Sequence, residues 1–395
     1  MPETFKAADA VELAVVERNG FIESRHLGSA VVMAADGSVV TELGDISAPI
    51  FPRSALKPFQ ALASMQSGVP LRGVQVALAC ASHTGSLEHM DVVNGMLKAA
   101  DLTDEDLQCP AAWPQDEAAR GWLVRTDRGR QRVAFNCSGK HAGFLWACAE
   151  NGWDTKTYLD PNHSLQRRVM EIIEEYTGER ISHLATDGCG APVPAVSLTG
   201  LARAVGKLAK APSDKNADAR AATIATAMVD YPWAVQGHGQ ENTVVMEDLE
   251  IIAKLGAEGV MVMGTDTGVS VAVKILDGGA RAASLVGLTL LAAAGALDAE
   301  KVGPVLGKVV RPVLGGGEPV GRIRLDLGER EQLREVDAAR LPVVDRVVGD
   351  EQVGAADELV HRPDAERGHD APQLLGDEEE VVDDVLGRAL EALDE

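Results

Sequence analysis

The chain has 395 residues, of which 46% are hydrophobic and only 4% aromatic, and its formal net charge is −23. This length is enough for one large domain or two smaller ones. The negative charge argues against nucleic acid or an anionic membrane as a partner, and five cysteines in so long a chain do not form a disulfide framework. No signal-peptide pattern opens the sequence, and no apolar run reaches the roughly 20 residues of a membrane span. We therefore expect a soluble cytoplasmic protein.

Most of the acidity lies in the last part of the chain. From Glu329 to Glu395 the sequence has 21 acidic residues against 7 arginines, with no lysine and no aromatic residue. Such a composition is typical of a chain that cannot bury enough apolar surface to fold alone. We predict a folded unit over residues 1–327 and an acidic C-terminal extension over residues 328–395 that is weakly packed or disordered.

The first elements predicted along the chain are strands joined by tight turns. Residues 11–17 alternate between apolar and polar side chains, Arg18-Asn19-Gly20 is a turn signal, and residues 30–34 and 39–41 are two more apolar runs. A helix is predicted over residues 54–65 and another strand over residues 74–81, followed by a loop over residues 82–86. These patterns favour antiparallel pairing near the N-terminus.

The middle of the sequence is predicted to be helical and the next part to return to strands. Helical patterns run from residue 88 to about residue 230, two strands are predicted at 260–263 and 269–274, and a helix at 282–296. The prediction is a mixed α/β fold of the α+β kind. A mostly antiparallel central sheet made from distant segments is flanked by helices, and the helical part forms a subdomain.

The first candidate for chemistry is Ser54 with Lys57, three residues apart at the predicted start of a helix. At that spacing both side chains lie on one face of a helix, and Pro58, which lacks an N–H, places Ser54 at or before the first turn. A serine needs a base, and burial or a second cation can lower the pKa of a lysine enough for it to serve. The simpler alternative is a capping serine beside a solvated lysine.

Other polar groups cluster in glycine-rich loops. Ser82 and His83 follow the apolar run at 74–81, and Cys137, Lys140 and His141 lie within one short segment. A second loop carries Cys189 between two glycines. Two cysteines and a histidine in separate loops have the chemistry of a zinc site, although no closely spaced cysteine pair supports it. Lys254 is a lone cation in an apolar stretch just before a predicted strand, where it is either desolvated or extends to water.

Taken together, these elements resemble the asparaginase II family, the rhizobial-type (class 3) L-asparaginases, over residues 10–327. The motifs that carry the resemblance occur in the family's order: Pro52-Arg53-Ser54-Ala55-Leu56-Lys57-Pro58, Ala81-Ser82-His83-Thr84-Gly85, Asn136-Cys137-Ser138-Gly139-Lys140-His141, Asp187-Gly188-Cys189-Gly190-Ala191-Pro192 and Lys254-Leu255-Gly256-Ala257-Glu258-Gly259. One departure is that the family's Arg and Asp-Thr upstream of the last motif are replaced here by Gln240-Glu241-Asn242-Thr243.

The resemblance implies a fold similar to serine β-lactamases and glutaminases, and hydrolysis of L-asparagine to L-aspartate and ammonia. It implies two serine–lysine pairs, Ser54 with Lys57 and Ser82 with Lys254, in which Ser54 forms an acyl-enzyme. The residues expected to contact the substrate are Arg53, His83, His141 and Asp187. It also implies a zinc ion held by Cys137, Lys140 and Cys189, and a homodimer.

Two alternatives share some of these features. A glutaminase-type or penicillin-recognising serine hydrolase also uses Ser-x-x-Lys, but typically adds a Lys-Thr-Gly strand, and Asp266-Thr267-Gly268 lacks the lysine. A non-catalytic zinc-binding amide sensor would use only the cysteine loops, and would bind asparagine without releasing ammonia.

Overall fold

The computed structural model describes residues 3–327, and its central feature is an antiparallel sheet of eight strands. The sheet begins with a hairpin whose turn, Asn19-Gly20, has two positive φ angles of 47° and 78°. This is the backbone that a two-residue hairpin turn requires. The first three strands are β1 (Val11–Arg18), β2 (Phe21–Met33) and β3 (Val39–Leu43). The three predicted strands are confirmed, and β2 begins well before the predicted run.

The rest of the sheet comes from the C-terminal part of the described chain. Between the two parts lies a separate two-stranded hairpin formed by β4 (Leu184–Thr186) and β5 (Pro192–Pro194). The remaining strands are β6 (Ile252–Gly256), β7 (Val260–Gly264), β8 (Ser270–Ile275), β9 (Val313–Gly315) and β10 (Glu318–Leu325). The strand order is β6-β7-β8-β2-β1-β10-β9, and β3 pairs with β2. The sheet is therefore made from distant segments, as predicted.

Twelve α-helices lie within residues 3–327. They are α1 (Lys57–Gln66), α2 (Val74–Ala79), α3 (Leu87–Ala99), α4 (Glu117–Arg125), α5 (Ser138–Asn151), α6 (Ser164–Thr177), α7 (Leu198–Lys210), α8 (Ala219–Asp230), α9 (Pro232–Val235), α10 (Glu241–Leu249), α11 (Ala283–Ala293) and α12 (Ala299–Val309). Two short 3₁₀ turns, Arg53–Leu56 and Asp104–Asp106, complete the set. The predicted fold class, a mixed α/β fold with an antiparallel sheet and flanking helices, is confirmed.

Helices cover both faces of the sheet at β7. A Cβ on Gly264 would lie 2.8 Å from the Ala209 side chain of α7, whereas the neighbouring Met263 lies against Gly287 of α11. Successive side chains of a strand point to opposite faces, so α7 and α11 lie on opposite sides. This explains why β7 and β8 are buried along their whole length and are apolar almost throughout.

Two local predictions are wrong. The apolar run predicted as a strand at 74–81 is the helix α2, which packs against α5 and α8. A short apolar run does not distinguish a buried strand from a buried helix, because both bury every side chain. Lys254, predicted to lie just before a strand, lies inside β6.

The acidic extension predicted at residues 328–395 lies outside the described residues, so its packing and the boundary at residue 327 stay predictions. Within residues 3–327, no helix is long and apolar enough to cross a membrane. The cytoplasmic location also stays a prediction.

Candidate active site

Ser54 lies in the 3₁₀ turn that leads into α1. The backbone N–H of Lys57 donates to the Ser54 carbonyl, and Pro58 takes the first turn of α1, where a missing N–H costs nothing. Arg53, immediately before Ser54, has a positive φ of 54°, a left-handed conformation that residues other than glycine adopt only occasionally. The serine side chain is half-buried. Ser54 is thus at the helix start, as predicted.

A cluster of one hydroxyl and two amines lies next to this turn. The Ser82 Oγ is 2.9 Å from the Lys57 Nζ and 2.9 Å from the Lys254 Nζ. Lys57 also donates to the Ala81 carbonyl at 2.5 Å, and Lys254 to the Leu255 carbonyl at 2.8 Å. Both lysine side chains are 1% exposed. Three of the predicted catalytic residues therefore meet at one hydroxyl oxygen.

The lysine predicted to pair with Ser54 makes other contacts. Among the described residues, the hydrogen bonds of the Lys57 Nζ go to Ala81 and Ser82, and none joins it to Ser54. The pairing of Ser54 with Lys57 therefore stays a prediction, whereas Ser82 is in contact with Lys254 as well as Lys57. Sequence spacing placed Ser54 and Lys57 on neighbouring turns but did not indicate that Lys57 reaches across to the loop after α2.

Burial sets the charge of Lys254. Desolvation lowers its pKa well below the usual value, and the nearby Lys57 lowers it further. A buried amine in this setting favours its neutral form. Lys254 can then accept a hydrogen bond from Ser82 and can take up its proton, which an ammonium group cannot do.

The loop that carries Ser82 is fixed by its backbone and by His83. The His83 N–H donates to the Asn136 carbonyl at 3.1 Å, and the Gly85 N–H donates to the His83 Nδ1. Because Nδ1 accepts, Nε2 carries the hydrogen and donates to the Ser138 Oγ at 2.9 Å. Burial, followed by the neighbouring His89, lowers the pKa of His83 well below its usual value. Both ring nitrogens are used within the protein, and contact of His83 with substrate stays a prediction.

A second polar cluster contains the predicted metal ligands. The Lys140 Nζ donates to the Cys189 Sγ at 3.0 Å. A hydrogen bond from Cys137 lowers the pKa of Cys189 far below its usual value, and Lys140 adds to this effect. The pKa of Cys137 is raised correspondingly, because it is the partner that keeps its proton and because it is buried. These pKa shifts favour a thiolate at Cys189 with a thiol and an ammonium group beside it.

His141 belongs to the same cluster. Its Nδ1 is 2.7 Å from the Tyr158 hydroxyl, while its Nε2 is buried without a hydrogen-bond partner among the described residues. Burial lowers the pKa of His141, and Cys189 opposes that effect. Tyr158 carries no signal in the sequence, because it comes from a loop that no motif marks.

A partly buried ion pair joins the Ser54 turn to the Cys189 loop. The Arg53 Nε is 2.5 Å from the Asp187 Oδ1, and the same oxygen accepts the Gly188 N–H at 2.9 Å. The β4–β5 hairpin presents this loop, closed by a hydrogen bond from the Asp187 N–H to the Ala191 carbonyl. Lys57 lies within electrostatic range of Cys137. The structure therefore brings the five motifs to one place.

A sequence model of the L-asparaginase II family matches residues 14–325. The chain belongs to this family. L-asparaginase II enzymes are amidohydrolases with small-molecule substrates, and the match covers all five motifs. A search of curated proteins found no relative of this L-asparaginase II chain.

Two solved structures are similar to this L-asparaginase II chain at low identity. The native form of Mglu is 16% identical with a TM-score of 0.37, and the match covers 65% of this chain and 61% of Mglu. A β-lactamase from Mycobacterium bovis is 14% identical with a TM-score of 0.31, and the match covers 72% of this chain and 95% of that one. The chain thus spans less than two thirds of Mglu, and similarity at this level carries no conclusion about chemistry.

Proposed function

We propose that this chain is an L-asparaginase that hydrolyses L-asparagine to L-aspartate and ammonia through a serine acyl-enzyme. The observation that carries the proposal is the Ser82 hydroxyl held at 2.9 Å by both Lys57 and Lys254, next to the turn of Ser54. Such an arrangement supplies what amide hydrolysis by serine requires, which is a base and a path for the proton.

In this proposal Ser54 is the nucleophile. It precedes α1, so the positive end of that helix favours the negative charge that develops at its oxygen. Lys57 passes a proton through the Ser82 hydroxyl to the neutral Lys254 and takes the proton of Ser54 in its place. The same chain in reverse delivers a proton to the leaving nitrogen, so that ammonia departs. Water then hydrolyses the ester between Ser54 and the aspartyl group, which releases L-aspartate.

The remaining predicted residues would bind the substrate. Arg53 and Asp187 form an ion pair beside Ser54 and have the charges that complement an amino acid's carboxylate and ammonium groups. His141 has one buried ring nitrogen without a partner, which is available to a polar ligand. Contact of these side chains with asparagine belongs to the proposal, as do a homodimer and a cytoplasmic location.

A zinc ion fits the donor chemistry of the second cluster. No three His, Cys, Asp or Glu side chains within residues 3–327 form a metal-binding group, so zinc binding here would require the Lys140 ammonium group to lose its proton and serve as a third donor beside Cys137 and Cys189. Cys189 already favours the thiolate that zinc prefers. When bound, zinc would supply a positive charge close to the substrate's polar ends.

The first test is ammonia release from L-asparagine and L-glutamine by the wild type and by Ser54→Ala. We expect the wild type to hydrolyse asparagine and the variant to lose about a thousandfold or more of kcat with its fold intact, because the nucleophile is gone. Ser67→Ala is a matched control, since the Ser67 Oγ donates only to the Ala63 carbonyl of its own helix.

Three outcomes would contradict the proposal. Near-normal rates for Ser54→Ala would remove the role of Ser54. Turnover of nitrocefin without turnover of asparagine would favour a penicillin-recognising hydrolase. Binding of asparagine without ammonia release would favour an amide sensor.

A further inference from the structure

Besides the direct contact between Ser82 and Lys254, a ring of hydrogen bonds connects the Ser82 loop to the strand that carries Lys254. On one side, the Ser82 N–H donates to the Val235 carbonyl at 2.9 Å and the Thr84 N–H donates to the Gln236 carbonyl at 2.7 Å. The Ser82 loop is therefore fastened to residues 235–236, immediately before the Gly237–Gln240 loop.

The other side of the ring passes through the start of α10. The Gln236 Oε1 accepts the Asn242 N–H at 2.7 Å, and the Asn242 Oδ1 accepts the Leu255 N–H at 3.1 Å. Lys254 completes the ring by donating to the Leu255 carbonyl. The orientations of the Gln236 and Asn242 side-chain amides are fixed, because each amide oxygen faces a backbone N–H, which can only donate. Asn242 thus joins β6 to the segment that holds Ser82.

Asn242 makes this link at a cost. Its side chain is fully buried, and its Nδ2 has no hydrogen-bond partner among the described residues. A buried donor without a partner destabilises a protein. An aspartate would accept the Leu255 N–H equally well, but it would bury a negative charge at this position, so the hydrogen bond to Leu255 alone does not account for the amide.

Charge does account for it. The ionisable groups within electrostatic range of Lys254 are Lys57 from α1, Cys80 after α2 and Cys137 before α5. Burial raises the pKa of Cys80 to about 12, which keeps that thiol neutral. Among the described residues, no carboxylate has a resolved effect on Lys254. An aspartate at position 242 would place a negative charge next to the N–H of Leu255, the residue that follows Lys254. This charge would favour the ammonium form of Lys254.

We propose that Asn242 is a positioning residue, which holds Lys254 against Ser82 through the Leu255 N–H while keeping this side of the lysine free of negative charge. The inference rests on the proposed function, because it assigns Asn242 a role in presenting the Lys254 amine for proton transfer. It acts through Leu255 and does not contact substrate.

The test compares Asn242→Asp and Asn242→Ala with the wild type, using kcat and KM for asparagine from pH 5 to pH 10. We expect Asn242→Asp to move the acid limb of the profile up by about one pH unit and to recover near wild-type kcat at high pH. Asn242→Ala is expected to lose about tenfold or more of kcat at every pH, because Lys254 is no longer held in place. Asn94→Asp, on the exposed face of α3, adds the same charge and should match the wild type.

An unmoved acid limb in Asn242→Asp, or a kcat within twofold of wild type in Asn242→Ala, would overturn the proposal. A readout without turnover separates it from the proposed function. Lys254 is titrated by NMR in protein labelled with ¹³C at lysine Cε, with Lys254→Met to assign its signal. We expect a higher midpoint in Asn242→Asp than in the wild type, whether or not asparagine is hydrolysed. Equal midpoints would refute the inference.

Discussion

At the scale of single residues, we expect the charge of Lys254 to affect both activity and stability. The side chain is buried in β6, close to Lys57, and both effects lower its pKa. A lysine placed in this way costs stability whenever it must be charged. In return, it offers a neutral amine next to a hydroxyl at a pH where an exposed lysine is an ammonium group.

Activity should therefore fall as the pH drops through the lowered pKa of Lys254. Above that pKa the amine is neutral and can accept a proton, and below it the ammonium group cannot. The measurement is kcat/KM for asparagine from pH 5 to pH 10, with intact folding confirmed at each pH. A flat profile across this range would count against a role for Lys254 as a proton acceptor.

Replacing this lysine by methionine should abolish activity and raise thermal stability. In the unfolded chain Lys254 titrates near 10.4, and in the folded protein its pKa is lower. Between the two values only the unfolded chain holds the proton, so the free energy of unfolding rises with pH across that window. Below it, the folded protein bears the full cost of a buried charge.

Lys254→Met removes this penalty, and we expect its thermal midpoint at pH 7 to exceed that of the wild type. Differential scanning calorimetry at several pH values measures the change. Lys98→Met, on the exposed surface of α3, is the matched control and should leave the midpoint nearly unchanged. A Lys254→Met midpoint below the wild type would show that the hydrogen bonds of the amine outweigh its burial.

At the scale of elements, the contact between β6 and the Ser54 turn depends on Gly256. A Cβ at this position would lie 2.3 Å from the Pro52 carbonyl oxygen and 3.4 Å from the Ala55 nitrogen. The strand that carries Lys254 therefore packs directly on the backbone of the turn that carries Ser54. No larger residue fits without moving the two apart.

Gly256→Ala should lower both stability and kcat. We expect a loss of about 1–3 kcal/mol in the free energy of unfolding from the forced backbone shift, and at least a tenfold loss of kcat from misplacement of Ser54. Urea denaturation and the ammonia assay measure the two effects. Gly303→Ala in α12 is the control, because a Cβ there has open space and alanine favours a helix. Equal behaviour of the two variants would contradict this account.

Sequence patterns predicted the elements whose periodicity is local. The alternation of β1 and the turn at Asn19-Gly20 were sufficient for the first hairpin, and the Pro58 argument placed Ser54 at a helix start. The same reasoning failed for α2, because six apolar residues bury equally well as helix or strand. The pairing of Ser82 with Lys254, which the family resemblance implies, is a contact in the structure. The contact of Lys57 with Ser82 is not predicted, because it depends on how α1 packs beside α2. The motifs therefore name the candidate residues, and the fold adds the contact that sequence spacing does not show.

At the scale of the whole molecule, the folded state is stabilised by packing and not by disulfides. All five cysteines are buried, and none is in a disulfide. Reducing agent alone should therefore leave the thermal midpoint unchanged. If zinc joins the Cys137 and Cys189 loops, its removal should lower the midpoint, because a ligand that binds only the folded state stabilises it.

We expect about one zinc per chain by elemental analysis and a lower thermal midpoint after treatment with a chelator. Cys189→Ala should lose the metal and mainly raise KM for asparagine. Cys148→Ala is the control, since Cys148 is also a buried free cysteine, lies in the last part of α5, and should not be needed to retain the metal. A wild-type protein without zinc would rule out the metal part of the proposal.

The pairing of the first strands with strands from the other end of the described chain has a consequence for synthesis on the ribosome. β1 pairs with β10, with Val16 opposite Ile323, and β2 pairs with β8, with Ala30 opposite Val273. At about 5–20 residues per second, the first strands emerge many seconds before these partners exist. Their unpaired edges are then exposed to other nascent chains, which makes early chaperone binding valuable. Ser54 and Lys57 also emerge long before Lys254, so a nascent chain cannot assemble the proposed site until residue 254 has left the ribosome.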